Sequence, residues 1–316
     1  MHRENFRPKV QLQEQNRHIE KLEATLQEYQ ARIFNTILTD ELGDATIAER
    51  HSIIREHISN WVECLPDACE FERNFDQAIL DFDQLFGDVT LEHWTVEFLR
   101  GPSVAQTEIF SSTLYRCLYT AVFCPYIMGA SNEHCSLFTR LERELNSLQI
   151  QREITTSRRT NTTKAYTSCP DYTDLVKNVR AAFLAKLRRF FSRIPFDEDF
   201  NVDHKFHNLE EQIMDPALKL AQDMNQSSQR YYWDWHSNFN EESLGFIYKR
   251  HLKHFIVYDI RTHNQIARPK EDASHIKDDK PIAKYLFTIY PALYRGTNGP
   301  SVRIEKATIL VTALHD

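Results

Sequence analysis

The fold is decided first by one stretch, residues 46–66, which reads TIAERHSIIREHISNWVECLP. Its large apolar side chains recur at steps of three, four and seven, and they are Ile47, Ile54, Ile58, Trp61 and Leu65. This spacing places them on one face of an α-helix, the pattern of a helix that packs against a core. Thr46 and Glu49 have the spacing of a capping box, which predicts the helix start, and Pro66 predicts its end.

The segment before this helix has the pattern of a coiled coil. Its apolar residues alternate by three and four over about three heptads, with one polar position at Gln15. They are Leu12, Ile19, Leu22, Leu26, Tyr29 and Ile33. We predict a coiled-coil helix over residues 1–43, ended by Gly43, that pairs two copies of the chain into a homodimer. The alternative is an amphipathic helix that docks on its own domain.

The segments after this helix predict three further regions. Helical periodicity continues and predicts a helical region over residues 44–153. Residues 154–172 begin with a polar, Thr-rich run without periodicity, which predicts a linker or exposed loop. Residues 173–316 then predict a second helical region, with weaker helices around 206–224 and 243–251, that ends in a small β element.

The β element is predicted from residue type. Residues 254–260, 285–290 and 302–312 are rich in β-branched and aromatic side chains, and turn signals separate them. The fold class that follows is mainly α, with an N-terminal coiled-coil helix, a helical body and a small C-terminal β element.

The chain lacks the sequence motifs of several enzyme classes. There are only seven glycines, and neither a G-x-G-x-x-G nor a G-x-x-x-x-G-K-[ST] pattern occurs, which argues against Rossmann and P-loop proteins. His204-x-x-His207 and His251-x-x-His254 are the spacings closest to a metal site, but no H-E-x-x-H accompanies them. We therefore predict no cofactor and no metal.

The cysteines and the first residues predict an intracellular protein of the cytoplasm or nucleus. The six cysteines form no C-x-x-C pair, and six in 316 residues do not make a disulfide scaffold. The first residues also lack the apolar run of a signal peptide.

A strongly basic helix is predicted over residues 175–194. Its cations are Lys177, Arg180, Lys186, Arg188, Arg189 and Arg193, and this stretch contains no acidic residue. Such a face is a candidate to bind nucleic acid or an anionic membrane. The favoured interpretation is a helix with a buried apolar face and a solvated basic one.

An acidic segment balances this basic helix. Residues 63–97 hold ten acidic residues, and Arg73 is their one base. The acidic segment and the basic helix are therefore predicted to face each other or a partner.

The chain resembles a group of proteins from filamentous fungi that have an N-terminal coiled coil, a helix carrying a Trp, a helical middle and a short β-like end. The segments that carry the resemblance are residues 53–61, Ile194-Pro195-Phe196, and residues 290–294 and 305–311. The group has no assigned activity, so the resemblance implies the fold and no catalytic residue.

Three functions are therefore open. The first is protein–protein interaction, regulatory or scaffolding and without catalysis, by a homodimer with an unknown protein partner. The second is an enzyme whose site is assembled from scattered residues, which a deep pocket with perturbed pKa values would favour. The third and least favoured is a nucleic-acid or anionic-membrane binder that uses the basic helix.

Overall fold

The structure, a computed structural model, describes most of the chain in separate ranges. These are residues 42–63, 65, 104–148, 152–192, 194, 196, 197, 200, 202–235, 245–262, 264–266, 281–296 and 301–314, together with Arg17, Ile19, Lys21 and Thr25. The chain divides into two compact units, residues 1–42 and residues 43–316.

The first unit contains most of the predicted coiled-coil segment. Its described residues Arg17, Ile19, Lys21 and Thr25 are all helical. The other seam residues lie outside the described ranges, and they are Leu12, Leu22, Leu26, Tyr29 and Ile33. The coiled coil and the homodimer therefore stay predictions.

The described residues of the second unit are mainly helical up to residue 226. The helices, numbered along the described residues, are α1 Asp44–Glu63, α2 Val104–Leu118, α3 Asn132–Ser147, α4 Arg152–Thr167, α5 Tyr172–Phe191, α6 Val202–Leu209 and α7 Asp215–Gln226. A π-helical turn, Tyr119–Phe123, extends α2, and a second one, Glu210–Met214, joins α6 to α7.

Helix α1 confirms the stripe that was predicted from its periodicity. All five stripe residues are buried, and His51 is buried with them on the same face. The ring of Trp61 packs edge-on against Phe191, 5.6 Å between centroids, and its Nε1 donates to the Lys205 carbonyl at 2.8 Å. Because aromatic pairs in this geometry add to the gain from burial, the stripe fixes α1 against α5 and α6.

Helix α4 lies where a linker or exposed loop was predicted, at residues 154–172, so this prediction is wrong for most of the range. Arg152–Thr167 is helical, and Thr155, Thr160 and Thr163 are buried. A stripe of threonine carries too little apolar surface to be recognised from hydrophobicity, although its spacing is helical. Residues 44–153 and 173–316 fall in one compact unit, residues 43–316.

Among the described residues, seven strands follow and form two sheets. They are β1 Arg230–Asp234, β2 Phe246–Tyr248, β3 Phe255–Asp259, β4 Pro281–Tyr290, β5 Ala292–Gly296, β6 Val302–Glu305 and β7 Ala307–Ala313. One sheet has the antiparallel order β1-β5-β6. The other has the order β2-β4-β7-β3, in which only β3 and β7 are parallel.

The small C-terminal β element is confirmed, and it is larger than predicted. The prediction of a helix around residues 243–251 is wrong, because β2 and a 3₁₀ turn, Lys249–Lys253, occupy most of this range. Strand β1 was also missed, since its run of Tyr231, Tyr232 and Trp233 was assigned to no element. Its partners come from residues 292–296, so the pairing is not visible in the local sequence.

Candidate functional site

A cleft of about 520 Å³ lies between α1, α2 and the two sheets, and we name it the polar cleft. The described residues that line it are Ser52, Arg55, Glu56, Ser59, Thr107, Glu108, Ser111, Ile256, Tyr258, Ile289, Tyr290, Glu305, Lys306 and Thr308. Its volume is in the range of sites that enclose a small molecule, although its lining is more polar than is usual for such sites.

Helix α1 supplies one wall of the polar cleft because its second face is polar. Ser52, Arg55, Glu56 and Ser59 follow each other at steps of three, one and three, so they share a helix face. This face adjoins the buried stripe. The packing of the isoleucines therefore also fixes where these polar groups lie.

Behind this wall, three side chains form a buried hydrogen-bonded chain. Nε2 of His51 lies 2.6 Å from the Tyr115 hydroxyl, and Nδ1 contacts Oε2 of Glu305. Burial lowers the pKa of His51, against the opposing effect of Glu305, and burial raises the pKa of Tyr115. A neutral imidazole and a protonated phenol follow. The Tyr115 hydroxyl then donates to Nε2, and the Nδ1 hydrogen is donated to Glu305.

Arg55 approaches the same oxygen of the Glu305 carboxylate that His51 contacts. Its Nη1 lies 3.7 Å from Oε2 of Glu305, and its Nη2 donates to the Thr308 hydroxyl at 2.6 Å. Its guanidinium also lies 4.6 Å above the ring of Tyr290. Glu305 is thus placed between an imidazole and a guanidinium, which fixes its orientation at the cleft wall.

Glu108 is the group in the polar cleft that is best suited to proton exchange. Burial raises its pKa from 4.5 to about 7. Nearby, the hydroxyls of Tyr290 and Ser59 are 3.1 Å apart, and burial raises the pKa of Tyr290. A carboxyl that titrates near neutral pH can both donate and accept a proton, as general acid–base chemistry requires.

The predicted basic face makes contacts within the chain. Lys177 pairs with Asp174 at 2.8 Å, Arg180 pairs with Asp215 at 2.5 Å, and Arg188 lies 5.1 Å above the Phe206 ring. Lys186 is half-buried and Arg189 is exposed, while Arg193 lies outside the described residues. None of the five described side chains of this face lines the polar cleft. Of the acidic stretch 63–97, the structure describes Glu63 and Leu65 alone.

The cleft residues were missed because they come from five separate segments of the chain, residues 52–59, 107–111, 256–258, 289–290 and 305–308. One signal in the sequence could have indicated part of the site. His51 interrupts an otherwise apolar helix face, which marks a buried polar group in need of partners.

Within the described residues, no three His, Cys, Asp or Glu side chains converge as metal ligands would. His207 lies near Glu211 at 3.8 Å, and His254 lies 3.0 Å from Arg303. The described helices include none of the length and apolarity that crossing a bilayer demands. No family model, curated protein or solved structure matches this chain.

Proposed function

We propose that the protein binds a small polar molecule of zero net charge in the polar cleft, and that Glu108 exchanges a proton with it. The observation that carries the proposal is a cleft of about 520 Å³ in which a carboxyl with a pKa of about 7 lies among hydroxyl groups and fixed charges.

The charges of the lining select the class of ligand. Arg55 and Lys306 are cationic, whereas Glu56 and Glu305 are anionic and Glu108 titrates. These charges nearly cancel, so the cleft offers little net attraction to a multiply charged ion. Hydroxyls from serine, threonine and tyrosine residues supply both donors and acceptors. A sugar or a zwitterionic amino acid has the matching chemistry.

The test is a thermal-shift comparison at pH 7 with four probes: glucose, glutamine, citrate and spermidine. We expect glucose or glutamine to raise the Tm of the wild type, because a ligand that binds only the folded state stabilises it. The rise should be lost in Arg55→Met and Glu108→Gln and kept in Glu133→Gln, which changes an exposed carboxylate on α3. A rise given only by citrate or spermidine, or by none of the four, would contradict the proposal.

Self-association through the N-terminal helix is the second candidate function. Ile19 is a seam residue that is helical and 52% exposed. Nearby, the Thr25 hydroxyl donates to the Lys21 carbonyl at 2.8 Å, which is a helical contact. An isoleucine with half its surface exposed on such a helix is what pairing with a second copy would cover.

Light scattering on a sizing column tests this second candidate with the full chain. Ile19→Asp combined with Leu26→Asp should convert a dimer into a monomer, because a charge in a seam disrupts knobs-into-holes packing. Lys21→Asp lies outside the seam and serves as the control. A wild-type monomer would remove the homodimer and, with it, the main support for a scaffolding role.

The basic helix receives less support as a binding surface. Lys177 and Arg180 already pair with carboxylates and Arg188 with an aromatic ring, so binding a phosphate backbone or an anionic membrane would compete with those contacts.

A further inference from the structure

A second cavity, of about 270 Å³, lies away from the polar cleft, and we name it the arginine cavity. Its walls come from α3, α4, α7, β1, the end of the π-helical turn after α2 and the residues that follow this turn. The side chains that decide its chemistry are Tyr126, Glu142, Arg159, Arg230, Tyr231 and Trp233. No lining residue is shared with the polar cleft among those described.

Two guanidinium groups give the arginine cavity its charge. Nη2 of Arg159 donates to the carbonyls of Ser227 and Gln229, at 2.6 and 2.9 Å, and these bonds fix its position. Nη1 of Arg230 donates to Oε1 of Glu142 at 3.3 Å. Glu142 is the one carboxylate among the described lining residues, so the described lining carries an excess of one positive charge.

The side chains of Arg230 and Glu142 differ in exposure and in the number of hydrogen bonds that fix them. The side chain of Arg230 is 56% exposed, whereas that of Glu142 is 11% exposed and also accepts a hydrogen bond from the Tyr126 hydroxyl. A guanidinium has five N–H donors in a planar fork, and it binds carboxylates with two of them at once. Arg230 can therefore turn at the mouth of the cavity toward an incoming anion while Glu142 stays in place.

Aromatic rings form the walls beside these charges. Trp233 lies 4.9 Å from Phe123 between ring centroids, and Tyr126 and Tyr231 line the same space. Flat aromatic side chains favour a planar ring, with which they stack or meet edge to face. The volume is just below the usual range of drug-sized sites, so it limits the occupant to about one ring.

We propose that the arginine cavity binds a small aromatic carboxylate, with its ring among Phe123, Tyr126 and Trp233 and its carboxylate on Arg230. Arg159 contributes positive potential from a fixed position. The carboxylate of Glu142 competes with the ligand for Arg230 and so keeps the affinity moderate.

Isothermal titration with benzoate, benzamide and inorganic phosphate tests the charge and the ring separately. Benzamide has the ring without the charge, and phosphate has the charge without the ring. We expect benzoate to bind at least tenfold more tightly than either, because a hydrogen-bonded charge pair and an aromatic contact both contribute. Phosphate binding as tight as benzoate, or benzamide binding as tight as benzoate, would overturn the proposal.

Three variants give the matched comparison. Arg230→Gln should weaken benzoate about tenfold or more, since it removes the charged donor. Arg158→Gln, at an exposed position next to Arg159, should leave the affinity unchanged. Glu142→Gln should tighten benzoate several-fold, because it removes the competing charge while an amide oxygen still accepts from Tyr126.

A gain of affinity cannot come from a damaged fold, so Glu142→Gln keeps the test decisive if Arg230→Gln is unstable. Benzoate should also change the emission of Trp233, and Trp233→Phe should abolish that change. Unchanged benzoate affinity in both Arg230→Gln and Glu142→Gln would overturn the proposal.

Discussion

Helices α1 and α4 both pack into the second unit, but they are buried by different side chains. Helix α1 buries isoleucine and tryptophan, whereas α4 buries Thr155, Thr160 and Thr163. The Thr160 hydroxyl donates back to its own helix, to Thr156 at 3.2 Å and Ser157 at 3.0 Å. Among the described residues, the hydroxyls of Thr155 and Thr163 find no partner. The first helix therefore gains from burial, while the second loses part of that gain to desolvated hydroxyls.

The largest effect should come from the stripe of α1. Ile54→Ala should lower the free energy of unfolding by about 3 kcal/mol, because it leaves a cavity at a fully buried position. Ile53→Ala changes the neighbouring residue, which is 42% exposed, and should cost less than about 1 kcal/mol. Urea unfolding measures both variants. Equal losses would show that α1 is not anchored by this face.

The buried chain from Tyr115 to Glu305 should add a smaller and pH-dependent effect. His51→Leu should cost about 2 kcal/mol at pH 7, since it leaves the Tyr115 hydroxyl and Glu305 without their shared partner. The folded pKa of His51 is lowered, so its contribution is present above pH 6.5 and is lost on acidification. Urea unfolding at pH 5 and 8 measures this, with His57→Leu on the same helix as control. An equal loss at both pH values would contradict the neutral imidazole.

Glu108 lies on α2, and its contribution to stability should have the opposite pH dependence. Its folded pKa is about 7 against 4.5, so its contribution to stability is fully present below pH 4.5 and is lost as the pH rises through 7. Glu108→Gln should raise the free energy of unfolding by about 2 kcal/mol at pH 8, after allowance for partial exposure, and change it little at pH 4. Unfolding curves at both pH values measure the difference, and a gain at pH 4 would be inconsistent with this titration.

The smallest effect should come from α4, and it should be a gain. Thr163→Val keeps the shape of the side chain and removes a buried hydroxyl, so it should stabilise the protein by about 1 kcal/mol. Thr160→Val removes a hydroxyl that is bonded within the helix and should be neutral or slightly destabilising. Thermal unfolding separates the two variants. If Thr163→Val destabilises the protein, burial of the Thr163 hydroxyl does not cost stability, and the contrast between α4 and α1 is wrong.

An element of this fold was predictable when its own residues carry a clear pattern, and it was not predictable when it depends on residues distant in the chain. Helix α1 and strands β3, β4 and β7 were predicted because their residues carry a strong local pattern of apolar or β-branched side chains. Helix α4 was not, because buried threonines resemble a polar loop in composition. Strands β1 and β2 were missed since their partners lie about 35 to 65 residues further along the chain.

The candidate site was predictable only in its parts. His51 and Arg55 lie on a helix that the sequence identified, but nothing local connects them with Glu305 or Glu108. The pKa of Glu108 depends on burial, which arises only when α2 packs against the sheet. Conversely, the basic helix was conspicuous in the sequence because charge is visible there, whereas the ion pairs with Asp174 and Asp215 are not.

The contact between His51 and Glu305 joins residues that are 254 positions apart, and Arg55 and Thr308 are 253 apart. A ribosome would therefore complete α1 long before it makes the strands that cover it. At roughly 5–20 residues per second, His51 and Arg55 wait on the order of 10–50 s for these partners. Folding of the second unit is thus expected to finish only after residues 290–308 leave the ribosome, and to be slow because its contacts are distant in sequence.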